Sequence, residues 1–150
     1  MPTDIITICE VGTRDGFQIE PAFIPTELKI EVVNRLSAVG IPRLEVTSFV
    51  HPKVVPQLRD AEEVMARMAR RPGTVYAALV PNDKGAKRAV DTGVDKIHTV
   101  LSASESHNLA NVNMTVARLW LSLADNTVWI LSTPVSTARF APVSLGTRAA

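Results

Sequence analysis

The sequence predicts an α/β chain whose strands share one parallel sheet. Three observations carry this: short β-branched apolar runs, helix-length amphipathic segments between them, and a Gly or Pro-Gly stop after each helical segment. Alternation of this kind implies right-handed crossovers between parallel strands. Two architectures satisfy it. A doubly wound sheet is complete with about five strands, whereas a TIM barrel closes with eight strands over roughly 250 residues. At 150 residues, length alone favours the open sheet.

The first strand spans Ile5 to Val11, apolar on both faces as in a strand buried from both sides, and ends at Gly12. Pro25 and Thr26 open a helix in which Leu28, Val32 and Leu36 recur every four residues beside Val33 and Val39. Gly40 and Pro42 close it. A second strand from Arg43 to Phe49 leads into a loop through Pro52 and Pro56, then a helix from Asp60 with Glu63 placed for a capping box. Pro72-Gly73 ends that helix. A third strand (Thr74 to Val80), a helix begun by Asn82 and stopped at Gly93, and a fourth strand (Asp95 to Ser102) complete four βα units.

Composition changes near Arg118. Residues 1–118 hold 28 of the 31 charged residues; residues 119–150 hold only Asp125, Arg139 and Arg148, together with both tryptophans. The first segment reads as the body of the fold. The second reads as a divergent tail, with room for a helix through Leu123 and a fifth strand at Val128 to Leu131 before Pro134 and Pro142 break the pattern.

Sixteen basic and fifteen acidic residues give a net charge of +1, which implies no field for steering nucleic acid or an anionic membrane. A single cysteine, Cys9, forms no internal disulfide, and no Cys/His cluster has the spacing of a structural zinc site. The start lacks the basic and apolar regions of a signal peptide, and no apolar run approaches the ~20 residues of a membrane span. A cytoplasmic location is expected.

The chemistry concentrates where strands end. Glu10-Val11-Gly12-Thr13-Arg14-Asp15-Gly16-Phe17-Gln18 puts an acid and a base side by side at the end of the first strand. Asp15 could hold Mg²⁺ or Mn²⁺ through oxygen, with Arg14 neutralising an enolate; the plain alternative is a turn in which the two pair with each other or with solvent. Glu45 is a carboxylate inside the apolar run Leu44 to Phe49, so it either reaches Arg14 or the metal shell, or faces solvent. His98 lies in an apolar strand and reads as a hydrogen-bonded core histidine, while His51 and His107 read as solvated loop residues. Ser102 to His107 read as polar loop or substrate contacts, since no GxSxG elbow accompanies them. GxGxxG and Walker A sequences are absent. Lys53, Lys84, Lys87 and Arg88 are candidate coenzyme-phosphate contacts or plain surface groups.

Together with Glu45-Val46-Thr47-Ser48-Phe49-Val50-His51-Pro52-Lys53, Val80-Pro81-Asn82 and Ser102-Ala103-Ser104-Glu105, the Arg14-Asp15 segment closely resembles hydroxymethylglutaryl-CoA lyase, from about Ile5 to Arg118. The Arg-Asp-Gly-x-Gln portion is shared with isopropylmalate and homocitrate synthases; the Thr-Ser-Phe-Val-x-Pro-Lys segment followed by Val55-Pro56-Gln57 points to the lyase branch. The resemblance implies a TIM barrel truncated to about four or five βα units. It also implies metal-dependent retro-Claisen cleavage of 3-hydroxy-3-methylglutaryl-CoA to acetyl-CoA and acetoacetate, as in leucine breakdown.

By that resemblance Arg14, Asp15 and Glu45 are catalytic, Asp15 ligates a divalent cation (Mg²⁺ or Mn²⁺), and Arg14, Gln18 and Ser102 contact the acyl-CoA substrate. The family draws further ligands from a later His-x-His pair, and a catalytic cysteine and an asparagine from later loops. This sequence has none of these, and Cys9 on the first strand is not equivalent to that cysteine. After Arg118 the likeness fades to Val135-Ser136-Thr137-Ala138, as in a truncated or frame-shifted gene product or an incomplete gene model. Impaired activity is expected. An inactive fragment serving as an interaction module is the alternative, and an open half-barrel is expected to form homo-oligomers or to dissolve poorly.

Overall fold

The structure, a computed structural model, describes residues 6–100, 102 and 104–118. The expected helix through Leu123, the strand at Val128 to Leu131 and the Val135 to Ala138 segment lie outside the described residues. Strand β1 (Cys9–Glu10) leads into a π-helical turn (Gly12–Gly16) and helix α1 (Thr26–Ala38). Next come β2 (Arg43–Ser48), a 3-10 turn (Pro56–Leu58), α2 (Ala61–Arg67), β3 (Val75–Leu79), α3 (Asp83–Asp91), β4 (Lys96–His98) and α4 (Glu105–Val112).

All four strands are parallel and lie in the order β1-β2-β3-β4. That order decides between the two architectures. A doubly wound sheet reverses its strand order at a switch point, whereas a barrel wall adds each strand beside the last. The four units are therefore a segment of barrel wall, and the open-sheet preference drawn from length is overturned.

Helices cover one face. Leu44 and Val46 from β2, Tyr76 and Ala78 from β3, and Ile97 from β4 pack with Ile30 and Val33 of α1, Val64 and Met65 of α2, and Ala86 and Ala89 of α3. Complete burial of a Val or Leu side chain contributes about 1.5–3 kcal/mol, so this layer supplies the main cohesion. Because strand side chains alternate between faces, Glu45, between Leu44 and Val46, projects from the other side of the sheet. A register irregularity between Glu45 and Thr47 sits at the same place on β2. Bulges of this kind commonly re-aim a side chain beside a functional site.

Several expectations are corrected. The first strand is shorter than Ile5 to Val11: only Cys9 and Glu10 pair with β2, and Ile6 and Ile8 are exposed. The register explains this, because Cys9 stands opposite Arg43, the first residue of β2, and nothing on that strand reaches further back. In α1 the buried face is Lys29, Ile30, Val33 and Ser37, not the stripe through Leu28, which is exposed. The helix is rotated because Lys29 is drawn inward. Its ammonium, 3% exposed, meets Asp60 Oδ1 at 2.6 Å and donates to the Gln57 carbonyl.

The same pair displaces the capping box. Asp60 stands at the N-cap of α2 without a side-chain capping bond, because its carboxylate serves Lys29 and accepts from Thr26 Oγ1 at 2.8 Å. α2 also stops at Arg67, ahead of Pro72-Gly73, where Met68 turns to extended backbone. Asn82 does cap α3, accepting from the Gly85 amide at 3.0 Å. Gly40, Gly73 and Gly93 take the left-handed conformation expected where helices give way to the next strand. His107 belongs to α4 rather than to a loop, its amide donating to the N-cap hydroxyl of Ser104. Among the described residues no helix is long and apolar enough to cross a membrane.

Candidate active site

The turn after β1 is built by its own backbone. The amides of Arg14 and Asp15 both donate to the Val11 carbonyl, at 3.0 and 2.7 Å, and the Gly12 amide donates to Glu10 Oε1 at 2.6 Å. Thr13 is buried and its hydroxyl donates to the Glu45 carbonyl at 2.8 Å, pinning the turn to β2. Arg14 and Asp15 are thereby held at the carboxyl end of the sheet, the end at which barrel enzymes place their chemistry.

Three charged groups and one imidazole meet there. Arg14 Nε donates to Glu45 Oε1 at 2.6 Å, and Arg14 Nη1 to Asp15 Oδ1 at 2.6 Å. The second Glu45 oxygen, Oε2, lies 3.0 Å from His98 Nδ1. The Glu45 side chain is 6% exposed and that of Asp15 62%, so the site runs from a sealed carboxylate at its base to an open one at its mouth. A carboxylate this deeply placed is tolerable only because both oxygens are met, one by a guanidinium.

Of the two plain alternatives, the turn in which Arg14 and Asp15 pair is present and the solvent-facing Glu45 is not. Arg14 and Asp15 do pair with each other, but Arg14 also reaches Glu45, and Glu45 does not face solvent. Arg14 Nη2 has no ion-pair partner among the described residues. Gln18 is half-buried beyond the turn, and Ser102 accepts from the Ser104 amide at 3.0 Å. Among the described residues neither side chain bonds to Arg14, Asp15 or Glu45.

His98 was not among the site residues expected; it is hydrogen-bonded as its strand setting suggested, but it is 29% exposed rather than fully in the core, and its partner is Glu45. The signal was the alternation Lys96-Ile97-His98, which puts His98 on the face opposite the buried Ile97. Of the possible phosphate contacts, Lys53, Lys84 and Lys87 are exposed, while Arg88 is committed to Glu62 at 2.6 Å. Burial, with the Glu45 charge next, raises the Cys9 thiol above its ordinary value. Among the described residues no three His, Cys, Asp or Glu side chains gather as a metal site. They fit a divalent cation only as donors of the single carboxylate of Asp15.

Residues 5–146 match the family described as HMGL-like. The chain belongs to that family. A hydroxymethylglutaryl-CoA lyase of Bacillus subtilis is 50% identical over 108 residues, which is 72% of this chain and 36% of the relative. The human cytoplasmic 3-hydroxy-3-methylglutaryl-CoA lyase is 43% identical over 113 residues, 75% of this chain and 30% of the relative. Among solved structures, an HMG-CoA lyase from Acinetobacter baumannii in complex with coenzyme A and 3-methylmalate superposes with a TM-score of 0.78 at 45% identity. That match covers 81% of this chain and 40% of that one. This HMGL-like chain therefore spans about a third of the length of the curated relatives it matches, and the shared fold is that of their N-terminal barrel wall. The family match continues past the change in composition at Arg118.

Proposed function

We propose that this chain carries the enolate-handling part of a hydroxymethylglutaryl-CoA lyase site, cleaving 3-hydroxy-3-methylglutaryl-CoA to acetoacetate and acetyl-CoA. The observation that supports it most is Arg14, fixed by Glu45 on one nitrogen and Asp15 on another, with Nη2 left over at the carboxyl end of the sheet.

In the cleavage, loss of the C3 hydroxyl proton lets that oxygen's electron pair form the ketone of acetoacetate as the C2–C3 bond breaks. The bond's electron pair moves to the thioester as an enolate, which then takes a proton at C2 to give acetyl-CoA. Arg14 stands where it can neutralise the enolate oxygen as charge develops. Losing one such preorganised donor typically costs about 10²–10³ in rate. Glu45 holds the guanidinium in place. Gln18 and Ser102 flank the mouth as substrate contacts. A divalent cation, Mg²⁺ or Mn²⁺, would rest partly on Asp15 and supply Lewis-acid polarisation of the substrate oxygens.

Residues 1–118 form the barrel part in this reading, and residues 119–150 a tail divergent in composition, although the family match runs on to residue 146. The location is cytoplasmic and the pathway leucine breakdown; relatives carry both cytoplasmic and mitochondrial descriptions. A second reading, an inactive fragment acting as an interaction module, draws on the sheet. Among the described residues β1 and β4 each pair on one side only, so either edge could take a second copy.

Purified chain incubated with Mg²⁺ and hydroxymethylglutaryl-CoA separates the two. Acetoacetate formation abolished by Asp15→Asn is the result expected of the enzyme. No turnover from folded, soluble chain would sink that reading and leave the module.

A further inference from the structure

We infer that His98 is a positioning residue of this site: its imidazole holds Glu45 so that Glu45 in turn holds Arg14. The inference rests on the lyase reading for its catalytic consequence, but the contact itself stands on geometry.

Glu45 has two carboxylate oxygens and 6% side-chain exposure, so neither oxygen can rely on bulk water. Oε1 takes Arg14 Nε at 2.6 Å and Oε2 takes His98 Nδ1 at 3.0 Å. A carboxylate only accepts, so the imidazole donates through an Nδ1–H. The bridge spans two strands. Glu45 on β2 stands opposite Ala77 on β3, and His98 on β4 opposite Leu79. Ala77, fully buried, keeps the volume between them small enough for a glutamate from one side and a histidine from the other to meet over β3.

Without His98, Oε2 would be a buried acceptor with no partner among the described residues. The carboxylate would then turn to recover a bond, at the expense of Arg14. His98 thus acts on the reaction only through Glu45 and Arg14.

The chain has three histidines, at 51, 98 and 107, so the ¹⁵N imidazole spectrum is simple to assign with a His98→Asn variant. In the wild type, neutral His98 should be the Nδ1–H tautomer; an Nε2–H tautomer would overturn the inference whatever the activity. The Arg14 Nε–H resonance reports the next link. It should lose its slow exchange in His98→Leu and regain it in His98→Asn, whose amide can donate to Oε2, with the backbone amide spectrum unchanged in both. An unaltered Arg14 signal in His98→Leu would refute the coupling.

Where the wild type turns over, kcat should fall about tenfold to a hundredfold in His98→Leu and recover in His98→Asn, the scale expected for one hydrogen bond to a charged group. Equal rates would again refute it. Should the wild type show no turnover, the lyase reading fails, while the tautomer and the Arg14 resonance still decide the contact.

Discussion

Replacing Asp60 with alanine should destabilise the fold far more than its place at a helix start suggests. Lys29 and Asp60 meet at 2.6 Å with side-chain exposures of 3% and 8%. At an effective dielectric near 20, the attraction at that 2.6 Å separation is roughly 6 kcal/mol, which the desolvation of both ions largely offsets. Breaking such a pair from one side typically costs about 3–5 kcal/mol, because the surviving charge is buried alone. Here Lys29 would keep the Gln57 carbonyl and the face of Phe23, whose ring centroid lies 4.1 Å from Nζ. Both contacts are already present in the wild type and cancel in the difference, so the expected loss stays at about 3–5 kcal/mol.

Urea unfolding followed by circular dichroism is the assay. With a denaturant slope of about 2 kcal/mol per molar, the midpoint should fall by about 1.5–2.5 M. Lys29→Met combined with Asp60→Ala should recover most of this, since no charge is left stranded. A midpoint within about 0.3 M of wild type for Asp60→Ala would refute the reasoning.

Gly85→Ala should destabilise despite the helix-favouring replacement. The added Cβ would lie 2.7 Å from the Phe49 carbonyl oxygen and 2.8 Å from Pro81 Cδ, and a thermal melt should show the midpoint falling rather than rising. Burial works to raise the Glu62 carboxyl, but hydrogen bonds from Arg88 and the backbone and the guanidinium charge bring it below its ordinary value of 4.5. A depressed folded-state pKa adds stability above the unfolded value that is lost as pH falls through the folded one. The wild-type advantage over Arg88→Met in urea midpoint should therefore hold at pH 7 and shrink below about pH 4.5. Cys9, raised by burial and by Glu45, carries less thiolate at pH 8 than a free thiol. Iodoacetamide should alkylate it more slowly than glutathione, and Glu45→Gln should narrow the gap.

The alternation of strands and helices was legible because each element carries its own local signal. Asn82 capping α3, and the glycines at 40, 73 and 93 in left-handed conformation after helices or turns, are positions where one residue type satisfies a backbone demand by itself. Arg14 and Asp15 were legible for a similar reason. Two opposite charges between glycines at a strand end stand out locally, but a plain turn has the same spacing, and the motif they share with known lyases is what singled them out.

What failed were features that depend on distant partners. The buried face of α1 is set by Lys29 finding Asp60, 31 positions later, and a lysine in a helix gives no local hint of burial. Asp60 looks like a helix cap until the chain brings Lys29 to it. The sheet order, which separates barrel wall from doubly wound sheet, lies in no single element. His98 is the plainest case: its sequence neighbours suit a core strand. Only parallel pairing of β2, β3 and β4 brings it 3.0 Å from a glutamate 53 residues away. Sequence alone determined the elements, the family likeness and the Arg14-Asp15 pair, because periodicity, capping and motif act over a few residues. Tertiary structure decided the strand order and the partners of Glu45 and Lys29, because a buried charge is defined by what the fold brings against it.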